Sequence, residues 1–300
     1  MDTEQKRTYD KTAKKILSNK RILAHILQRV VDELKDKSID QIVCYMDGNI
    51  EMDNVALQPP NIIGDNTEDY ITGEETVYFD LRFTLTKING ETKILFDVEA
   101  QNDYNPGYPL VTRGIVYTTR MISNQINTEF TTKNYGGLKK VYSIWICFNA
   151  PKYVGNAITK FSMHQENLLG EVLTKKEYYD KLCIVQICLQ KDCAEHGDKL
   201  IRLLNVLFRE KSSEKVGKIL RTEYNIPVAG DFEKEVVDMC NLSEGIEREG
   251  IQKGIQKGFE QAVLSALQTN SPESVAVFMN IPLEQVQEIM EKYKSLWYWK

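Results

Sequence analysis

The feature that most constrains the fold is a pair of alternating segments, residues 76–87 and 92–101, with Asn89-Gly90 between them. Apolar and polar residues alternate along the first segment and along much of the second, which is typical of half-buried strands. Asn-Gly between two such segments favours a type I′ turn, because both central residues of that turn need a positive φ. The sequence therefore predicts an antiparallel β-hairpin with Asn89-Gly90 as its two-residue loop.

This loop fixes which residues face each other across the hairpin. One face is then entirely apolar and the other is mostly polar, with Leu95 opposite Thr84 as the exception. A slip of one residue would scramble this separation, so the pattern supports the register. The apolar face pairs Leu81 with Val98, Phe83 with Phe96 and Leu85 with Ile94, and the polar face pairs Tyr78 with Gln101, Asp80 with Glu99 and Arg82 with Asp97.

Asp80 and Glu99 form the most informative of these pairs. Residues directly opposite on antiparallel strands have Cβ atoms roughly 4.5–5.5 Å apart, so two carboxylates in these positions repel each other. A divalent cation that prefers oxygen ligands, Mg²⁺ or Mn²⁺, would compensate for the repulsion. Two alternatives remain open, a solvated polar face in which Arg82 bridges Asp97, and a protonated Glu99.

The available residue types restrict the chemistry to carboxylates. The chain has three histidines and six cysteines, and the cysteines lack the CxxC spacing of zinc sites. The scattered histidines argue against a His-rich metal site and give no support to a Ser-His-Asp triad. Because the cysteines lie mostly in apolar runs, we expect them to be buried free thiols.

Charge and hydropathy limit the partners and the location. The formal net charge is −5, so the chain lacks the basic signature of many nucleic-acid-binding proteins. A nuclease is not excluded, because local basic patches and a bound cation matter more than the total charge. No apolar run reaches the length of a membrane span, and the polar N-terminus lacks the apolar region of a signal peptide. We therefore expect a cytoplasmic protein with no membrane contact.

The first 240 residues indicate a mixed α/β domain with a central sheet. A helix is predicted over residues 9–37, with a break near Ser18-Asn19, and Glu33 lies beside its buried stripe. Glu33 either points from the helix end toward the sheet or is an ordinary boundary residue. The strands after the hairpin are placed to run parallel to its second strand. Further predicted elements are a short strand at 42–45, a helix at 109–127, strands at 141–148 and 182–189, and a helix at 199–208.

The last third of the chain changes character. Residues 245–258 form a near-tetrad repeat that places Gly250, Gly254 and Gly258 close to one helical face. Each glycine costs about 1 kcal/mol in an isolated helix, so residues 241–265 are predicted to be either a linker or a helix that self-associates, as in a homodimer, or acts as a hinge. Residues 266–300 contain two short helices that resemble a helix-turn-helix. The second of these is acidic, which favours a packing or dimerising module over DNA binding.

Asp80 on one strand, followed by Glu99-Ala100-Gln101 on the next, resembles the acidic motif of the PD-(D/E)XK nuclease superfamily. More narrowly, the chain resembles its recombination-promoting nuclease branch, also described as PD-(D/E)XK nuclease family transposases. The resemblance covers roughly residues 9–260. The other features that carry it are Thr-Glu-Asp at 67–69, Arg113-x3-Tyr117, the strand VYSIWIC at 141–147 and the glycine repeat.

The resemblance implies a Mg²⁺-dependent DNA endonuclease with a restriction-endonuclease-like αβββαβ core and a C-terminal helical tail. Asp80 and Glu99 would be the metal-binding carboxylates, and Glu33 would match the supporting acidic residue of the first helix. Arg113 and Tyr117 would hold the scissile phosphate, which suits guanidinium geometry, or would simply pack their helix on the sheet.

Two departures from the family pattern bear on the mechanism. Phe79 replaces the proline of the motif, and Gln101 stands where the superfamily usually has lysine. A neutral amide cannot act as a general base, although it can orient a water or a phosphate oxygen. The nucleophile would then have to come from water activated by the metal.

Three biological roles fit this pattern. The first is DNA hydrolysis associated with mobile elements and recombination. The second is a catalytically inactive nuclease fold that binds nucleic acid or protein through its helical tail. The third is a nuclease that acts as a toxin or in defence, which shares the chemistry of the first.

Overall fold

A computed structural model of the chain describes residues 3–46, 68–69, 77–88, 92–190 and 197–294. The chain divides into two compact units, Thr3–Ser243 and a C-terminal unit that begins at Glu244. The larger unit contains a five-stranded sheet with helices, which confirms the predicted mixed α/β class.

The major helices and strands occur along the chain in the order that the sequence predicts. The helices are α1 Thr3–Leu17, α2 Lys20–Val30, α3 Ile39–Tyr45, α4 Leu110–Ser123, α5 Lys176–Tyr179, α6 Lys199–Arg209, α7 Ser213–Tyr224, α8 Gly230–Leu267, α9 Pro272–Met279 and α10 Leu283–Lys292. The strands are β1 Glu68–Asp69, β2 Val77–Tyr78, β3 Leu81–Ile88, β4 Thr92–Gln101, β5 Lys140–Ala150, β6 Ala157–Ser162 and β7 Leu182–Gln190. Short 3₁₀ turns occupy Asp32–Leu34 and Tyr135–Gly137.

The five strands of the main sheet lie in the order β3-β4-β5-β7-β6. The pair β3 and β4 is antiparallel, and β5 and β7 then run parallel to β4, as predicted from their position after the hairpin. The edge strand β6 was not predicted, and it runs antiparallel to β7. Two strands of the described sheet therefore precede α4, and three follow it.

The hairpin register is confirmed over its central part. Every predicted pair from Leu81/Val98 to Leu85/Ile94 is present. Nearer the turn the register shifts, because Ile88 lies opposite Thr92, and the predicted Asn89-Gly90 loop lies outside the described residues. The predicted pairing of Tyr78 with Gln101 is wrong, since Tyr78 pairs with Glu68 in the separate two-stranded sheet of β1 and β2.

Helix α4 covers one face of the sheet. Its buried residues Tyr117 and Met121 belong to one core cluster with Trp145 of β5 and Ile184 of β7. A Cβ placed on Gly114 would lie 2.8 Å from Cγ2 of Ile184 and 3.1 Å from Nε1 of Trp145. The glycine therefore allows α4 to approach the sheet more closely than any other residue would.

Helices α1 and α6 pack on the opposite face of the sheet. The rings of Tyr9 and Phe208 lie 5.6 Å and 4.7 Å from the ring of Phe148 at the end of β5. On the same face, the rings of Phe83, Phe96 and Tyr142 stack across β3, β4 and β5, with successive centroids 5.2 Å and 5.4 Å apart.

The N-terminal helices show one confirmed and two wrong predictions. The break near Ser18-Asn19 is confirmed, because the Asn19 side chain accepts hydrogen bonds from the backbone N–H groups of Arg21 and Ile22 and so starts α2. The predicted continuation of the helix to residue 37 is wrong, since α2 ends at Val30. The predicted strand at 42–45 is also wrong, because a capping box between Ser38 and Gln41 starts a helix there.

The C-terminal unit is built from the second part of α8 with α9 and α10. Its core residues come from all three helices: Val263, Leu267, Val275, Ala276, Val286 and Ile289. The glycine repeat is helical throughout, and among the described residues nothing lies within 4 Å of a Cβ placed on Gly254 or Gly258. Self-association through this face therefore remains a prediction. Across the described ranges, no helix is both long enough and apolar enough to span a bilayer.

Candidate functional site

Asp80 and Glu99 lie together where β3 begins and β4 ends. The backbone N–H of Asp80 donates to Oε1 of Glu99 at 2.8 Å, and the backbone N–H of Ala100 donates to Oδ2 of Asp80 at 2.9 Å. Each carboxylate therefore binds the main chain of the other strand. These reciprocal bonds hold the two carboxylates side by side just beyond the last ladder pair, Leu81/Val98.

Asp97 adds a third carboxylate, which lies two residues before Glu99 and hence on the same face of β4. Asp97 is 0% exposed and Glu99 is 3% exposed. Oδ2 of Asp97 accepts a hydrogen bond of 2.7 Å from the hydroxyl of Ser143, whose oxygen accepts one of 2.8 Å from the indole N–H of Trp145. The other oxygen of Asp97 is buried without a hydrogen-bond partner.

Burial makes these carboxyl groups hard to ionise. Loss of solvent raises the pKa of Asp97 to about 7, although Arg82 opposite it acts in the other direction through its charge. Burial also raises the pKa of Glu99 well above its ordinary value, and the negative charges of Asp97 and Asp80 raise it further. Both shifts favour the protonated forms of these carboxyl groups.

Lys14 of α1 is a cation that contacts the cluster directly. Its Nζ lies 2.6 Å from Oδ1 of Asp80. The pKa of Lys14 is raised by Asp80, Glu99 and Asp10 despite the opposing effect of partial burial. Asp10 lies one helical turn before Lys14 on the same helix. The N-terminal helix thus brings one positive and one negative side chain toward Asp80.

Arg113 and Tyr117 of α4 lie together on the face of the sheet that carries Glu99. Nε and Nη2 of Arg113 both donate to the Tyr117 hydroxyl, the former at 3.1 Å. The guanidinium carbon lies 4.9 Å from the centre of the Tyr117 ring and 5.1 Å from that of Trp145. Partial burial lowers the pKa of Arg113, but the hydrogen bonds to Tyr117 and the charges of Tyr117 and Glu99 outweigh it, so the pKa is raised.

Gln101 does not join the carboxylates. Its side-chain amide donates to the backbone carbonyl of Asp103 at 2.8 Å. Alternation along β4 places Gln101 on the same face as Glu99 and Asp97. Gln101 is the last residue of the strand, however, and it is half-exposed.

Glu33 lies apart from the other predicted site residues. Its two carboxylate oxygens accept hydrogen bonds from Nζ of Lys140 at 3.0 Å and from the hydroxyl of Tyr142 at 2.9 Å. Tyr142 belongs to the aromatic stack on the opposite face of the sheet from Ser143 and Trp145. The expected convergence of Glu33 with Asp80 and Glu99 is therefore not present in this arrangement.

The sequence model that describes the PD-(D/E)XK nuclease family transposases matches residues 14–225 of this 300-residue chain. The chain belongs to this family. The match spans Lys14, the hairpin, α4 and the parallel strands of the sheet. Comparisons with curated proteins and with solved structures gave no match.

The side-chain atoms of the acidic cluster in this chain are suited to bind a hard divalent cation. Asp80, Asp97 and Glu99 offer only oxygen atoms, the ligands that Mg²⁺ and Mn²⁺ prefer. The buried oxygen of Asp97 without a partner is a further sign that the cluster is incomplete as it stands. Within the described ranges no group of three or more His, Cys, Asp or Glu side chains is arranged around a metal position. Lys14 already contacts one of these oxygens, Oδ1 of Asp80.

Two residues of the cluster were not singled out by the sequence analysis. Asp97 was interpreted as the partner of Arg82 on a polar face, and the contact with Ser143 depends on the parallel register of β4 and β5. Lys14 lies in a helix whose position on the sheet the sequence does not specify. The sequence offered one indication of such a residue. Because glutamine replaces the lysine of the family motif, a positive charge at the site would have to come from another part of the chain.

Proposed function

We propose that this protein is a Mg²⁺-dependent DNA endonuclease whose metal is held by Asp80 and Glu99. The supporting observation is the reciprocal binding of these two carboxylates to the main chain at the hairpin, beside the buried Asp97. Three carboxylates in a largely buried cluster are unfavourable without a compensating cation. Membership of a nuclease family makes DNA the expected substrate.

The reaction is hydrolysis of a phosphodiester bond. When bound, Mg²⁺ offsets the charge of the carboxylates and the phosphate and lowers the pKa of water at the site. The water oxygen forms a bond to phosphorus while the bond from phosphorus to one sugar oxygen breaks. The proton of the water passes to solvent, and the leaving sugar oxygen takes up a proton in turn.

The chain's own residues would bind and orient the substrate. Arg113 is held by the Tyr117 hydroxyl and by two aromatic rings, so its guanidinium is suited to bind a phosphate at the face that carries Glu99. Tyr117 is buried, and its part is to fix the position of Arg113. The half-exposed amide of Gln101 could turn from Asp103 to orient a phosphate oxygen, although it cannot accept a proton from water.

One observation favours an inactive interaction module instead. The carboxylates bind Lys14 and two backbone N–H groups, so the protein's own groups partly satisfy the cluster. An inactive module would bind Mg²⁺ weakly or not at all. Calorimetric titration with Mg²⁺ separates the two functions.

The decisive test is plasmid nicking by the isosteric variants Asp80→Asn and Glu99→Gln. Each variant retains an oxygen that can accept the same backbone hydrogen bond, so the hairpin should stay intact while the metal loses a charged ligand. We expect Mg²⁺-dependent nicking by the wild type, none with EDTA present, and a loss of at least about 100-fold in either variant.

The matched control is Glu223→Gln, which removes an exposed carboxylate paired with Arg202. This variant should nick DNA at the wild-type rate. Full activity in the double variant of Asp80 and Glu99 would rule out the proposed function. A cytoplasmic location and a role in mobile-element recombination belong to the same proposal and are not needed for this test.

A further inference from the structure

The end of β4 that carries Glu99 has no positively charged residue, because Lys93 lies near the other end of the strand and pairs with Glu129. Gln101 occupies the lysine position of the family motif, and its amide donates to the backbone of Asp103. A carboxylate pair that binds a phosphodiester needs positive charge from elsewhere, because the scissile phosphate brings a further negative charge to the site.

Lys14 lies where such a charge is needed. Its Nζ is 2.6 Å from Oδ1 of Asp80, and its positive charge is also felt by Glu99. The side chain of Lys14 is 44% exposed, whereas that of Asp80 is 18% exposed. The ammonium group is therefore more accessible to solvent than the carboxylate with which it pairs, so a phosphate group in solution can reach it.

We propose that Lys14 is a catalytic residue of this site, whose ammonium group contacts the scissile phosphate and supplies the positive charge that Gln101 cannot. The inference rests on the proposed nuclease function and deepens it. The lysine of the family motif would lie on β4, whereas Lys14 lies on α1. The positive charge therefore reaches the same carboxylates from a different element.

The charges explain how Lys14 would change partners. Asp80 and Glu99 together carry two negative charges when ionised, and one Mg²⁺ balances them. With Mg²⁺ bound, Asp80 would no longer need its ion pair with Lys14, and the flexible side chain of Lys14 would be free to bind a phosphoryl oxygen as charge develops there. Lys14 acts as a fixed positive charge and a hydrogen-bond donor, and water remains the nucleophile.

A purely structural role for Lys14 predicts a different outcome. An ion pair in which the lysine is this exposed adds little to stability, because water screens it. Removal of Lys14 would then leave both the fold and the reaction nearly unchanged. A role limited to holding Asp80 would alter the binding of Mg²⁺ and would be overcome by a higher Mg²⁺ concentration.

The test uses the full chain with the substitutions Lys14→Met and Lys14→Arg, and Lys11→Met as the control. Lys11 is an exposed lysine one turn earlier on α1, so its removal changes the charge of the helix by the same amount. Three quantities are measured for each protein: the plasmid nicking rate at saturating Mg²⁺, the Mg²⁺ dissociation constant by calorimetry without DNA, and the thermal midpoint.

We expect Lys14→Met to slow nicking by about 10²–10³-fold at saturating Mg²⁺, the range seen when a single donor to a developing negative charge is removed. Mg²⁺ should bind at least as tightly as to the wild type, because a competing cation has left Asp80. Lys14→Arg should retain more activity than Lys14→Met, and Lys11→Met should match the wild type. The thermal midpoints should agree.

Several results would overturn the inference. One is wild-type nicking by Lys14→Met, another is a loss that a higher Mg²⁺ concentration restores, and a third is an equal loss in Lys11→Met. These results would leave the proposed nuclease function standing. A wild-type chain that does not nick DNA would instead overturn the proposed function, and the inference with it.

Discussion

Asp97 is an acidic residue that is fully shielded from water. It has no exposed surface, its neighbours Glu99 and Asp80 are acidic, and Ser143 is its hydrogen-bond donor. A carboxyl group in such a position resists ionisation, because neither solvent nor a directly bound cation stabilises its charge. The free energy of unfolding of the metal-free protein should therefore depend on the protonation of this group.

We predict that the metal-free protein loses stability as the pH rises from about 4 to about 7. Burial raises the folded-state pKa of Asp97 to about 7, above the ordinary value of 3.8, so the folded state retains a proton that the unfolded state releases over this range. One pKa unit corresponds to about 1.4 kcal/mol, so the rise from 3.8 to about 7 sets an upper bound of about 4 kcal/mol on the loss. Urea unfolding in the presence of EDTA at several pH values measures this loss of stability.

Asp97→Asn is the variant that isolates this effect. The amide oxygen can still accept from Ser143, but the side chain no longer ionises, so the fall in stability between pH 4 and pH 7 should become smaller. A pH profile identical to that of the wild type would show that Asp97 is not the group responsible.

At the residue scale, the sequence predicted contacts that local geometry determines. Asp80 and Glu99 were placed together because they lie 19 positions apart on one hairpin. The contact between Asp97 and Ser143 spans 46 positions and requires a parallel pairing that no local signal specifies. Glu33 shows the same limit, because its true partners Lys140 and Tyr142 lie on a distant strand of the sheet.

At the scale of elements, the position of helix α4 on the sheet depends on one small residue, Gly114. Gly114 faces Ile184 and the indole nitrogen of Trp145, which itself donates to Ser143 beside Asp97. The helix that carries Arg113 and Tyr117 is therefore seated directly over the residues that support the carboxylates.

We predict that Gly114→Ala destabilises the protein, although alanine is the better helix former. Alanine should contribute up to about 1 kcal/mol through helix propensity, whereas overpacking typically costs about 1–3 kcal/mol. The expected net loss is about 1 kcal/mol in the free energy of unfolding, measured by urea denaturation. Displacement of Arg113 should also reduce DNA nicking.

Gly254→Ala in α8 is the matched control, because nothing described lies within 4 Å of the added Cβ. This helix should become more stable by roughly 0.5–1 kcal/mol. A loss of stability in Gly254→Ala that depends on protein concentration would instead indicate that a second copy packs on this face.

At the element scale, the predictions succeeded where one strong signal dominated. The buried strands β5 and β7 and the helix α6 follow from their apolar patterns, and the end of α1 follows from the Asn19 cap. The short apolar run at 42–45 was misassigned because the capping box before it determines the structure. The edge strand β6 carries no comparable apolar run, and it is recognised only through its pairing with β7.

On the scale of the whole molecule, one buried carboxylate adds polar contacts between helices to the apolar core of the C-terminal unit. Glu260 of α8 accepts hydrogen bonds from Nζ of Lys292 at 2.7 Å and 2.9 Å and from the hydroxyl of Tyr293 at 2.6 Å. Lys292, Tyr293 and Gln256 lower the pKa of Glu260 to about 2. Its stabilising effect is therefore complete above the ordinary pKa of 4.5 and is lost as the pH falls toward 2.

We predict that Glu260→Ala loosens the C-terminal unit and leaves the nuclease reaction unchanged. Loss of these bonds should increase hydrogen exchange in α10, whereas the hairpin and α4 should exchange as in the wild type. A parallel fall in the nicking rate would contradict the assignment of the reaction to the larger unit.

The hairpin that holds Asp80 and Glu99 has a consequence for the order of folding. Contacts over a short stretch of chain form with a small loss of loop entropy, whereas the parallel pairing of β4 with β5 must close a much longer loop. The two acidic residues therefore meet while water still surrounds them, and their mutual repulsion is weak at that stage. Because β5 pairs beside Glu99, we expect the slow, non-local step of folding to be the step that removes this carboxyl group from water.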